Sequence, residues 1–88
     1  MQREEFLARL AEDGFKEVVT VEREANGAWE LHAHPFEAKA LILRGEIRLR
    51  RGEEERTYPA GTIFHLAADE PHSEWYGPQG VTYLVGRR

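Results

Sequence analysis

His32 and His34 stand two residues apart in the run Trp29-Glu30-Leu31-His32-Ala33-His34, and a third histidine, His72, lies about forty residues further along the chain. On an extended strand successive side chains alternate faces, so His32 and His34 project from the same side. Imidazole is the most common metal ligand, and three imidazoles make most of a mononuclear divalent site. Metal coordination is therefore the chemistry these residues imply. It requires a strand that brings His72 to the pair, and a fourth donor.

Other chemistries lack their parts. The chain has no cysteine, which removes disulfides, thiolate metal sites and thiol nucleophiles. It has no G-x-S-x-G and no phosphate-cradling glycine loop. Ser73 adjoins His72 but faces the opposite side of a strand, which argues against a Ser-His pair. Glu53-Glu54-Glu55 reads as a solvated turn, as does the basic run Arg48, Arg50, Arg51 beside it, since the two cancel locally.

The elements that must position the histidines are mostly strands. Only residues 2–13 carry helical spacing, with Phe6, Leu7, Leu10 and Ala11 on one stripe and Gly14 placed to end the helix in a left-handed conformation. This helix is expected to pack on the outside of the strands, or on a second subunit. Lys16 to Glu24 reads as a strand, Asn26-Gly27 as a two-residue hairpin turn, and Ala28 to His34 as the returning strand, ended by Pro35. Lys39 to Arg44, Glu46 to Arg51, Arg56 to Tyr58, Thr62 to Leu66, Ser73 to Tyr76 and Val81 to Val85 read as further short strands. Gly45 bends the first of these into the second, and Gly52, Pro59-Ala60-Gly61, residues 67–71 and Gly77 to Gly80 separate the rest. Short strands every 8–12 residues or so indicate a sandwich or barrel. The fold class is all-β, a small antiparallel β-barrel over residues 15–86 with one short N-terminal helix, in one domain of residues 1–88.

Eighty-eight residues give a marginal core, which a metal, a closed barrel or an oligomeric interface would help to stabilise. Arg outnumbers Lys ten to two and Glu outnumbers Asp fourteen to two, a surface suited to ion-pair networks. A net charge of −4 argues against nucleic acid as a partner. No segment has the length or hydropathy of a membrane span, and the charged start Met1-Gln2-Arg3-Glu4-Glu5 is not a secretory signal. A cytoplasmic location is the expectation.

Two spacings then become recognisable. Asn26, His32, His34 and Gly45 match the pattern G-x5-H-x-H-x(3,4)-E-x6-G, with Asn26 in place of the first glycine. Gly61 and His72 match G-x5-P-x-G-x2-H-x3-N, with Ala67, Asp69 and Tyr76 replacing the proline, the inner glycine and the asparagine. These are the two motifs of the cupin superfamily, which the chain resembles over most of residues 26–76. The resemblance implies a jelly-roll barrel holding iron, manganese, zinc or nickel through His32, His34 and His72. The family's glutamate position falls on Ala38, or on Lys39, and neither is a ready ligand. Glu37 lies one residue early, at a corner where strict alternation need not hold, and is taken as the fourth metal ligand. Glu74, two after His72, and Glu30, two before His32, share faces with the histidines and are pocket candidates, and solvent is another possible fourth donor.

Tyr76 or its neighbour Trp75 is expected to wall the pocket, while Trp29, Tyr58 and Tyr83 read as core or interface aromatics. His65 matches neither motif. The resemblance further implies a small-molecule ligand and a homodimer. It is compatible with two functions: oxidoreductase, dioxygenase-like or isomerase-like chemistry on a small organic molecule, or a non-enzymatic binding and sensor module with or without metal.

Overall fold

One helix and six strands make up the computed structural model, which describes residues 1–88: α1 (Arg3–Glu12), β1 (Glu17–Arg23), β2 (Ala28–His32), β3 (Ala38–Arg51), β4 (Glu54–Pro59), β5 (Ile63–Leu66) and β6 (His72–Arg87). Every strand pairing is antiparallel. Two long strands, β3 and β6, pair along their length and carry the architecture. On the outer edge of β6 lie β1 and β2, and on the outer edge of β3 lie β5 and β4. The result is an antiparallel jelly roll with a short N-terminal helix.

The helix is built as its residues suggest. Glu4 and Glu5 sit in its first turn, where carboxylates complement the helix dipole. Gly14, at φ +81°, closes the far end while Phe15 N–H donates to the Leu10 carbonyl at 2.9 Å and Gly14 N–H to that of Ala11 at 3.2 Å. Phe6 and Leu10 are buried against Phe15, Leu41 and Leu84 on the outside of the sheet. Burying such a side chain stabilises the fold by about 1.5–3 kcal/mol. The continuous apolar run in β3 is thereby explained. Leu41 faces the helix, while Ala40 and Ile42 face the barrel interior with Ile47, Leu49, Phe64 and Val85.

Two turns differ from the sequence expectation. Asn26-Gly27 does not make a hairpin: β1 pairs with Val81 to Arg87 and β2 with His72 to Trp75, so both run in one direction along the same strand. Asn26 adopts the left-handed conformation at φ 58°, and Gly27 N–H donates to the Glu24 carbonyl at 3.2 Å, giving a jog between collinear strands. The two final short strands are one, β6, and Gly77 to Gly80 is not a reversal. Gly45 faces Val81 and Ile47 faces Tyr76, so residues 77–80 form a bulge opposite Glu46 alone. Gly45 bends β3 without ending it, as expected. Both long strands turn at this one point, where Gly45 and Gly80 approach so closely that a Cβ on Gly45 would overlap the Gly80 carbonyl.

Candidate metal centre

His72 opens β6, and alternation places Glu74 and Tyr76 on its face, all three buried. His32 ends β2 directly opposite His72 in the ladder. His34 lies just beyond it in the loop toward Pro35, where Asp69 N–H binds its carbonyl at 2.7 Å. Four donor groups, His32, His34, His72 and Glu74, thus offer ligand atoms that all lie within 4.8 Å of one another.

The hydrogen bonds decide which ring atoms face the centre. His32 Nδ1 lies 2.6 Å from the Glu30 carbonyl, and His72 Nδ1 lies 3.0 Å from the Glu70 carbonyl. A carbonyl only accepts, so both Nδ1 atoms carry protons and donate. In a neutral ring Nε2 is then a bare lone pair. His72 Nε2 stands 3.1 Å and His32 Nε2 3.2 Å from the same oxygen, Oε2 of Glu74. Three acceptors converging on one point repel unless a cation lies among them. One proton satisfies one imidazole, and His72 makes that bond to Glu74. His32 Nε2 remains buried without a hydrogen bond, its 3.2 Å approach to Glu74 notwithstanding, because the direction is wrong. An orphaned, lone-pair nitrogen buried beside a carboxylate and two further imidazoles fits a metal donor set.

The titration shifts agree with this picture. Burial disfavours charge on His34, and the adjacent His32 and His72 add to that, so its pKa falls and the ring stays neutral. Burial opposes charge on His72 as well, but the Glu74 and Glu70 hydrogen bonds outweigh it and raise the pKa. Burial would raise Glu74, yet hydrogen bonds from His72 and Tyr76 hold it below the usual carboxylate range. The Tyr76 hydroxyl, donating to Glu74 Oε1 at 3.0 Å, is pushed up to about 12 by burial and by that carboxylate.

Of the expected site residues, His32, His34, His72 and Glu74 come together, and Tyr76 joins them through Glu74. Glu37 does not. Its corner turns outward, where the carboxylate accepts from Arg88 Nε at 2.6 Å and lies 2.5 Å from His65 Nε2. Glu30 is exposed and contributes its backbone carbonyl. Trp75 points away from the cluster and carries the Arg48 guanidinium over its ring at 4.9 Å. Trp29 stacks on His32, 3.8 Å between centroids and 14° from parallel, so it is a wall of the cluster more than a core aromatic.

Beside the cluster lies a cavity of about 250 Å³, reached by His34 and Glu74 and otherwise walled by apolar side chains such as Phe36, Phe64 and Val85, with Arg23 and Arg87 at its margin. Phe36 and Arg87 belong to no motif, so spacing does not mark them in the sequence. Strand alternation does carry a signal for Arg87, since odd-numbered positions from Val81 through Val85 to Arg87 share one face of β6.

A family model for the AraC-like ligand binding domain matches residues 17–85. No curated protein matches the chain in sequence. Among solved structures, the fold is similar to that of a structural-genomics protein of unknown function from Rhizobium leguminosarum, with a TM-score of 0.76, 11% identity, and coverage of 80% of this chain and 66% of that one. It is similar to an RmlC-like cupin from Shewanella frigidimarina (TM-score 0.69, 17% identity, 80% and 62% covered). The Cnp3 cupin domain of Schizosaccharomyces pombe is a third (TM-score 0.71, 15% identity, 80% and 50% covered). The chain thus spans between 50% and 66% of these structures' length, and the likeness at such identities is one of fold.

Proposed function

The chain belongs to the AraC-like ligand-binding domain family of the cupin superfamily, and from that premise we propose that it holds a divalent cation inside the barrel and binds a small organic molecule beside it. One observation carries the metal half of this reading: His72 Nε2, His32 Nε2 and Glu74 Oε2 converge, and a single proton leaves the buried His32 nitrogen unpaired. His32, His34, His72 and Glu74 are the donors. The Glu30 and Glu70 carbonyls fix the two imidazole tautomers, and Tyr76 fixes the carboxylate. Nitrogen and oxygen donors of this kind suit iron, manganese, zinc or nickel. A bound ion would polarise an oxygen of the ligand as a Lewis acid.

The cavity supports the other half. At about 250 Å³ it falls just below the range of roughly 300–1,000 Å³ usual for drug-sized ligands, which favours a molecule of few heavy atoms. The family's ligand-binding character and this size together favour a binding or sensing module over complex catalysis. Small size, with Leu31 69% and Trp29 42% exposed on β2, supports a homodimer, checked by sedimentation of Leu31→Lys against the wild type. A cytoplasmic location stays part of the same proposal.

The test is metal content. The protein is stripped with chelator, reconstituted with zinc or manganese, desalted and analysed alongside His72→Ala and Glu74→Gln. One equivalent in the wild type and far less in the variants supports the reading. Sub-stoichiometric metal in the wild type, or equal metal in all three, overturns it. A metal-free module is the second reading, favoured by the raised pKa of His72, whose proton already closes the His72–Glu74–Tyr76 chain of hydrogen bonds.

A further inference from the structure

Arg87 is the unexplained group on the cavity wall. Its NH1 donates to Glu17 Oε1 at 3.1 Å, a pair whose carboxylate side is 63% exposed. Its guanidinium carbon lies 4.8 Å from the centroid of Phe36, so the plane is packed on an apolar wall. Its Nε is buried and has no hydrogen-bond partner. A buried donor of a permanently charged group left unpaired is costly, and such groups in native proteins are usually met by another protein group, an ordered water or an ion.

The surroundings define what would meet it. The only carboxylate on the cavity wall, Glu74, has one oxygen held by Tyr76 and the other turned to the histidine cluster, so neither is left over for a cationic group of an organic ligand. Arg23 adds a second positive charge, 5.8 Å from the Trp29 ring. Two guanidinia favour an anion. Eight of the twelve lining residues are hydrophobic, which disfavours a polyhydroxylated ligand whose hydroxyls each need a partner. Phe36, Phe64 and Val85 offer a surface for a flat or short apolar body.

We propose that the cavity binds a small organic monocarboxylate, its carboxylate held by Arg87 through the unpaired Nε and its apolar body against Phe36, Phe64 and Val85. This rests on the cavity being the ligand site, and it names the ligand class that site takes. Arg87 is a specificity-determining residue. It need not touch the metal donors.

The experiment is a calorimetric titration of benzoate and of its neutral isostere benzamide, in chelator-treated and in zinc-reconstituted protein. A charge-assisted hydrogen bond in a partly buried site predicts benzoate binding about tenfold or more tighter than benzamide in the wild type. Arg87→Met should erase that preference, with benzoate affinity falling about tenfold or more to the level of benzamide. Glu17→Gln, which removes only the exposed partner of Arg87, should retain the preference. Equal affinity for the two ligands in the wild type, a preference that survives Arg87→Met, or no binding of either ligand overturns the proposal. The wild-type comparison needs no variant to fold. If zinc fails to bind, the metal reading alone fails, because the benzoate preference is read independently in the chelator-treated protein.

Discussion

Tyr76 donates its hydroxyl to Glu74 Oε1 at 3.0 Å, which leaves the other oxygen of that carboxylate facing His72 and His32 at 3.1 and 3.2 Å. The tyrosine therefore orients the carboxylate without approaching the centre itself. Replacing Tyr76 with Phe removes that hydroxyl and strands a buried carboxylate oxygen, a cost of about 1–3 kcal/mol to the fold. It should also weaken metal binding about 10–100-fold, the usual effect of losing a group that holds a ligand in place. Competition against a chromophoric chelator reads the affinity and urea denaturation the stability. Unchanged metal affinity in Tyr76→Phe would remove Tyr76 from the site.

A ligand that binds only the folded chain stabilises it by mass action. Zinc at about a hundredfold over its dissociation constant should add about 2.7 kcal/mol, with a corresponding rise in Tm. His32→Ala should lose that gain and cost less than His72→Ala in the absence of metal, since it forfeits the Nδ1 bond to the Glu30 carbonyl and the stack on Trp29 but no hydrogen bond at Nε2. His72→Ala should lose the gain and destabilise the metal-free protein as well, because His72 is 1% exposed and its ring fills buried space. Differential scanning calorimetry with zinc and with chelator separates the two patterns. Equal metal-free stability of the two variants would contradict the assignment of His32 as the unpaired nitrogen.

Much of the centre is legible from residue spacing, and the misses have physical causes. His72, Glu74 and Tyr76 recur at two-residue intervals on β6, and strand alternation alone places them on one face. Glu37 lies near the motif's glutamate position, and on spacing that favours it over Glu74 as the fourth ligand. A corner has no alternation to constrain it, and Arg88, contributed by the chain's last residue, pulls the carboxylate outward through a contact about fifty positions away. The Asn26-Gly27 signal is local and sound, since Asn26 does adopt a left-handed conformation. What it does not contain is the partner: β6 is long enough to pair with both flanking strands, so the jog never closes into a hairpin. Gly77 to Gly80 misleads in a similar way, because a bulge and a turn draw on the same residue types.

Glu37 predicts a pH dependence. A hydrogen bond from Arg88 chiefly, then one from His65, holds its carboxyl below the ordinary 4.5. A carboxyl with a depressed folded-state pKa stabilises the fold above its unfolded pKa, and that contribution fades as pH falls through the folded value. Glu37→Gln should therefore lower Tm at neutral pH and converge with the wild type in acid, well below 4.5. Glu74 is also depressed, but it is common to both proteins and cancels in the comparison. Calorimetry across the acid range makes the measurement. A Tm deficit of the same size at both ends would show that the charge of the Glu37 carboxylate is not what stabilises the fold there.

The bend shared by β3 and β6 predicts an asymmetry between two glycines. Gly45 and Gly52 both have positive φ, +76° and +60°, a conformation that costs an L-residue about 1–2 kcal/mol. Gly52 lies in the open turn between β3 and β4, and a Cβ there meets nothing. At Gly45 the added Cβ overlaps the Gly80 carbonyl, which is backbone and cannot swing aside, so the two central strands must separate at the point where both turn. Gly52→Ala should thus cost about 1–2 kcal/mol, the conformational penalty alone. Gly45→Ala should cost clearly more, about 3 kcal/mol or above, because packing strain adds to the conformation. Urea denaturation monitored at Trp29 and Trp75 reads both. If the two substitutions cost the same, the close approach of Gly45 to Gly80 does not set the bend, and the curvature of the barrel must come from the bulged residues 77–80.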